Sequence, residues 1–153
     1  MQQISEKVLI RGERSGASAQ STWGEGLNGS SGLTKENSER IGFVISCLFA
    51  AAINGAELRQ WAARILEQSN EAPLYLINLS EFTEPLFHIY NIIGFAPQWS
   101  HTDDDTLAIS GIAFKRNRQP FDHPIMREEA LRELEANPHI EKRFRSEFPF
   151  LNW

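Results

Sequence analysis

The chain is poor in cysteine, in long apolar runs, in catalytic motifs and, over one stretch, in positive charge. Its single cysteine, Cys47, rules out a disulfide within the chain. Cys47 lies among apolar residues with no cationic neighbour close in sequence, which fits a buried inert thiol better than a nucleophile. The most apolar run covers residues 41–53, IGFVISCLFAAAI, short of the about 20 residues a membrane span needs. The opening MQQISEKVLIRGE has only a brief apolar run, broken by Arg11, too short for a signal-peptide core, so a cytoplasmic location is expected.

H-E-x-x-H, G-x-S-x-G, a phosphate loop and Cys/His groups at zinc spacing are all missing. Residues 24–29, GEGLNG, match G-x-G-x-x-G literally. No convincing strand precedes them, Ser-Ser-Gly follows instead of a helix, and Glu25 would face a phosphate, so nucleotide binding is not expected. Consecutive Asp103, Asp104 and Asp105 lack the alternation, glycine and distal Glu of a calcium loop, and no metal or cofactor is expected. His88 is expected to be a structural histidine. The remaining enzyme reading would pair His101 with Asp103 or Asp105; a non-enzyme is expected.

Positive charge is absent from residues 65–114, fifty positions without Lys or Arg that carry Glu67, Glu71, Glu81, Glu84, Asp103, Asp104 and Asp105. The chain's net charge is −5 and this stretch alone holds −7, while the parts on either side are each +1. Two readings stay open: a solvated face where carboxylates happen to cluster, or a docking surface for a basic partner. Either disfavours nucleic acid, which needs a basic stripe. The candidate partner-binding residues are those seven carboxylates with Trp99 and His101.

What is present is one domain's worth of chain, 153 residues and 41% hydrophobic, enough to bury a core without cross-links. Residues 1–37 read as an arm, with a possible short strand at 7–11, a Gly/Ser-rich loop over 12–33, and Trp23 and Leu27 as tethers. Residues 38–153 read as a globular α+β domain, helix-rich, with a central buried helix, a helical hairpin and a small sheet of about two to three strands. The central helix starts at Thr34 or Ser38 and contains residues 41–53. Asn54 and Glu57 form a capping box for a helix over 55–69, with Leu58, Trp61, Ala62, Ile65 and Leu66 inward.

Residues 74–79 read as a strand. Thr83 caps the next helix, stapled by Phe82 and Phe87, packed through Leu86, Phe87, Ile89, Tyr90 and Ile93, and stopped by Gly94. Residues 96–105 read as an acidic loop, and 106–116 as the clearest strand, with a bulge at Ser110–Gly111 where its alternation slips. A helix begins near Asp122 and Pro124 with Met126, Ala130, Leu131 and Leu134 apolar, and a last one after Asn137-Pro138 buries Ile140, Phe144 and Phe148. The aromatic tail 148–153 is expected to dock. One core should hold Phe43, Val44, Leu48, Phe49, Trp61, Ile65, Phe87 and Ile109.

NGAELRQWAARIL at 54–66, PLFHIYNIIGFAPQW at 85–99 and GIAFKR at 111–116 together resemble the small immunity proteins of contact-dependent growth inhibition and related bacterial toxin systems. The likeness covers roughly the last two thirds of the chain and rests on the spacing of aromatics and glycines. It implies a cytoplasmic protein, monomeric alone, that pairs with a cognate toxin domain, commonly a nuclease, and blocks it. It transfers no residue roles. The rival binding reading is an acidic adaptor for some other basic protein.

Overall fold

A computed structural model describes residues 31–120 and 125–153. The domain is helical: among the described residues there is no strand, so the expected α+β fold with a small sheet is corrected. The helices are α1 (Glu39–Phe49), α2 (Gly55–Gln68), α3 (Tyr75–Leu79), α4 (Ile89–Ile93, entered through a 3₁₀ turn at Leu86–His88), α5 (Asp103–Lys115), α6 (Arg127–Ala136) and α7 (Pro138–Glu147). The expected strand at 7–11, the loop up to residue 30, the tethers Trp23 and Leu27 and the helix start at Asp122–Pro124 lie outside the described residues.

α1 is the central buried helix. Ile41, Phe43, Val44, Cys47 and Leu48 are buried in one core with Trp61, Ile65 and Ile109, and Phe49 is half-buried at its edge. The helix stops at Phe49 rather than Ile53, because Ala51 takes a left-handed backbone (φ 67°) and the Ala52 and Ile53 amides fold back to donate to the Cys47 carbonyl. Gly42 is a close-approach glycine. A Cβ there would stand 2.7 Å from the carbonyl carbon of Gln98, so the segment before Trp99 lies directly on the helix. Leu33, within the expected arm, is fully buried and its carbonyl accepts from the Tyr75 hydroxyl.

α2 follows its sequence signature. Asn54 Oδ1 accepts from the Glu57 amide at 2.8 Å and Glu57 Oε1 accepts from the Asn54 amide at 2.9 Å, the reciprocal pair that satisfies two orphan donors of a helix start. Leu58, Trp61, Ala62 and Ile65 are its buried stripe.

The two strands expected after α2 are both helices. Over 74–79 the apolar run is too short for its period to decide, and the chain turns as α3 with Leu76 and Leu79 buried three residues apart. Over 106–116 the start signal decides. Thr102 Oγ1 accepts from the Asp105 amide and Asp105 Oδ2 accepts from the Thr102 amide, both at 3.1 Å, so residues 103–105 form the first turn of α5, where carboxylates complement the helix dipole. The slip at Ser110–Gly111 is a packing feature, not a bulge. A Cβ on Gly111 would lie 2.5 Å from the carbonyl oxygen of Ala130, so α5 and α6 come into backbone contact there. Ala108 to Phe114 are buried all round, which is why no clean stripe shows in the sequence.

The expected staple between Phe82 and Phe87 does not form. Phe82 is buried, but Phe87 points to solvent and is outside the core, and the helix begins with the 3₁₀ turn instead of at Thr83. Gly94 ends α4 with φ 93°, as its position predicts. In α6 Ala130 and Leu134 are buried while Met126 is exposed; in α7 Ile140 and Phe144 are buried, with Phe148 just beyond. The tail docks: Trp153 meets Phe144 edge-on at 5.5 Å and lies under the Arg145 guanidinium at 4.0 Å.

Candidate partner-binding surface

Of the nine residues proposed from the sequence, His101 is exposed beside Trp99 and the other eight fall into three groups. Glu67, at the end of α2, and Glu71, Glu81 and Glu84, in the turns around α3, are exposed. Asp103 and Asp104, in the first turn of α5, are exposed as well. Trp99 and Asp105 are buried and belong to the architecture rather than to a surface.

Trp99 donates from Nε1 to Ser46 Oγ at 2.8 Å and meets Phe43 edge-on at 5.1 Å. It is seated on α1 because Gly42 admits the preceding backbone, and Ser38 Oγ clamps Gln98 from both sides: it donates to the Gln98 carbonyl and accepts from its amide, each at 2.9 Å. His101 stacks on Trp99 at 4.4 Å, and its Nδ1 is 2.6 Å from the Trp99 carbonyl oxygen, so that nitrogen carries the proton and donates. This hydrogen bond turns His101 toward the backbone of its own loop.

Asp105 pairs elsewhere. Its Oδ1 is 2.9 Å from Nε2 of His139, in the first turn of α7, while Oδ2 closes the α5 capping box. Burial pushes its carboxyl up, but the Thr102 amide and the His139 ring outweigh that and hold it below the ordinary aspartate range. The His–carboxylate contact is thus Asp105 with His139, thirty-four residues apart, rather than with His101. No spacing signal in the sequence reveals it.

Two charge networks inside the fold were also not foreseen. Glu57 receives Arg116 (2.7 Å) and Arg118 (2.7 Å), and Arg116 also donates to the Ala52 carbonyl at 2.6 Å, which ties the end of α5 to the α1–α2 turn. Burial raises the Glu57 carboxyl, yet the two guanidinium donors and the Asn54 amide bring it down to about 2. Glu147 Oε2 accepts from Arg40 Nε at 2.8 Å and Trp61 Nε1 at 2.7 Å. Beside it, Arg143 covers the Phe43 ring at 4.5 Å, and burial lowers its basicity. Burial likewise pushes the Cys47 thiol well up, against the opposing Arg143 charge, which suits an unreactive packing residue. His88 is half-buried and hydrogen-bonds Glu84 at 2.9 Å.

Among the described residues, five large apolar side chains are exposed: Leu74, Ile77, Phe87, Tyr90 and Met126. Four of them lie on α3 and the α4 entry, inside the stretch without Lys or Arg. A cleft of about 250 Å³ opens beside Tyr90, between Ile45, Phe49, Pro97 and Thr106. No group of three His, Cys, Asp or Glu side chains among the described residues could hold a metal, and no described helix is long and apolar enough to cross a membrane. No family model, no curated protein and no solved structure matches this chain.

Proposed function

We propose that this protein is an immunity protein: it binds a cognate toxin domain, a nuclease with a basic substrate groove, in the bacterial cytoplasm and neutralises it as a heterodimer without catalysing a reaction. One observation carries the reading. Fifty consecutive residues hold no cation, and six of their seven carboxylates, Glu67, Glu71, Glu81, Glu84, Asp103 and Asp104, are exposed. Such a surface speeds association with a basic protein and repels nucleic acid from the same ground. The charged groups that are buried are engaged in holding helices together, which suits a binding module better than an active site.

The test is protection. A nuclease toxin domain sought among the neighbouring genes is co-expressed with the full chain in a host it kills when expressed alone, and the purified pair is weighed by light scattering. Survival with a one-to-one complex is the expected result. A complex without protection would replace this reading with that of an acidic adaptor, and neither complex nor protection would end it.

A further inference from the structure

The exposed apolar side chains are not scattered. Leu74, just before α3, and Ile77 within it stand three residues apart, 80% and 47% exposed, while Leu76 and Leu79 of that short helix are buried. Phe87 and Tyr90 repeat the spacing at the entry to α4, 74% and 41% exposed, while Ile89 and Ile93 are buried. α3 and α4 pack against each other, so both apolar pairs belong to one small unit. Its inner residues are already satisfied by the core. Of the outer ones Tyr90 meets the Phe49 ring at 5.8 Å and Phe87 the His88 ring at 4.5 Å, and among the described residues all four keep a large part of their surface open. A monomer leaves large apolar groups clustered in this way where something else covers them.

The charge around them selects the cover. Exposed Glu71 precedes Leu74 by three residues, Glu81 follows Ile77 by four, and Glu84 precedes Phe87 by three. No Lys or Arg occurs in the sequence between Arg64 and Lys115, and Arg59, which reaches this unit from α2, is tied through Nη1 to the Phe82 carbonyl at 2.9 Å. A second copy in a two-fold dimer would set this acid-bearing face against the same face of its partner, and an anionic lipid surface or a nucleic acid would meet the same repulsion. Lysines or arginines placed beside aliphatic side chains meet none of it. We propose that the α3–α4 face is the anchor for a partner segment in which aliphatic side chains are interleaved with Lys or Arg, Phe87 and Leu74 being the principal contacts. This names the partner chemistry of the binding surface proposed above and rests on that reading.

The probe is a synthetic amphipathic helix of about 18 residues built from Leu and Lys, compared with its Leu/Glu and Ser/Lys counterparts. Titrated into the full-length protein, the Leu/Lys peptide should shift backbone amides of 74–80 and 86–93, and both counterparts should bind at least about tenfold more weakly. Phe87→Ser and Leu74→Ser should each weaken it by about fivefold or more, as interface anchors do, and Met126→Ser, an equally exposed change on another helix, should not. Both positions are exposed, so an unchanged amide spectrum elsewhere certifies the fold of each variant.

Equal binding of the Leu/Lys and Leu/Glu peptides overturns the proposal. So do shifts outside α3 and α4, indifference to both Ser variants, or a dimer in sedimentation that Phe87→Ser abolishes. Toxin protection is scored separately. If the wild type protects and both Ser variants protect equally, the anchor is wrong and the immunity reading stands. If the wild type fails to protect, that reading falls while the peptide titration still decides whether the face takes a basic apolar segment.

Discussion

α5 with its neighbours and α3 with α4 are built to opposite rules. α5 is buried over Ala108–Phe114, meets α6 backbone to backbone at Gly111, and has its charged ends paired: Asp105 with His139 at the start, Arg116 with Glu57 at the finish. α3 and α4 are five residues each, bury two apolar side chains apiece, turn comparably large ones outward and carry exposed carboxylates in the turns between them. The first region spends its sequence on stability. The second keeps polar and apolar groups uncovered at some cost to stability, as the proposed binding role requires. Substitutions should therefore divide into those that unfold the domain and those that leave the fold alone and change recognition.

The largest effect should come from the centre. Leu48→Ala, on the buried face of α1, is expected to cost about 2 to 5 kcal/mol from lost transfer energy and the cavity left behind. Denaturant titration measures it, and a loss below half of the lower figure would make α1 peripheral. Phe87→Ala in the same assay should change stability by less than about 0.5 kcal/mol, because its ring is already in water. If the two variants lost similar stability, the contrast between the regions would be false.

Next comes the Glu57 cluster. Glu57→Gln leaves Arg116, a largely buried guanidinium, short of its counter-charge and should cost about 3 kcal/mol at neutral pH. The sign of its pH dependence follows from the carboxyl lying at about 2 in the fold against 4.5 ordinarily. A carboxyl lowered by folding stabilises above its unfolded value, and that stability is lost as pH falls through the folded one. Wild-type melting temperature should thus drop between about pH 4.5 and 2, and the Gln variant should show a shallower drop across that window. Parallel profiles would mean that other carboxylates dominate acid unfolding.

Asp105→Asn should have a smaller effect, about 1 kcal/mol, since it weakens the Thr102 amide's bond to the side chain and the His139 contact while leaving the amide oxygen able to accept. Its folded-state carboxyl is also lowered, so its contribution is likewise present at neutral pH and lost in acid. His139→Ala should reproduce part of the loss, and combining the two should cost less than their sum if the 2.9 Å contact is what they share.

How far the sequence reveals these regions depends on how local their signals are. α2 is readable because Asn54 and Glu57 stand three residues apart and the stripe from Leu58 to Ile65 keeps helical period. α5 carries the same kind of signal in Thr102 and Asp105, but three adjacent aspartates imitate a loop tip, and the small residues that let α6 approach break the apolar stripe. Its Leu107 and Ile109 then mimic a strand. α3 is ambiguous for a different reason: six apolar-rich residues fit either period. Trp99 sits among polar neighbours and passes for a surface residue, yet what buries it is the missing side chain of Gly42, fifty-seven positions earlier. Pairs such as Asp105–His139 and Glu57–Arg116 join distant parts of the chain, and nothing local marks them.

Asp103 and Asp104 are the smallest lever and the sharpest test of the contrast, because they sit in the stable region yet share the charge of the α3–α4 one. Both are exposed in the first turn of α5, where losing two carboxylates should cost no more than about 1 kcal/mol through the helix dipole. Asp105 must be left intact, since removing it would confound steering with unfolding. The Asp103→Asn/Asp104→Asn double variant should therefore melt close to wild type but associate more slowly with the proposed basic partner, by a few-fold at low salt, with little change in dissociation. Stopped-flow association across a salt series reads this directly: the wild-type rate should fall more steeply with ionic strength, and the two curves should converge at high salt. Identical slopes would confine the electrostatic part of recognition to Glu67, Glu71, Glu81 and Glu84, so that attraction and apolar contact would both belong to the stretch from the end of α2 to α4.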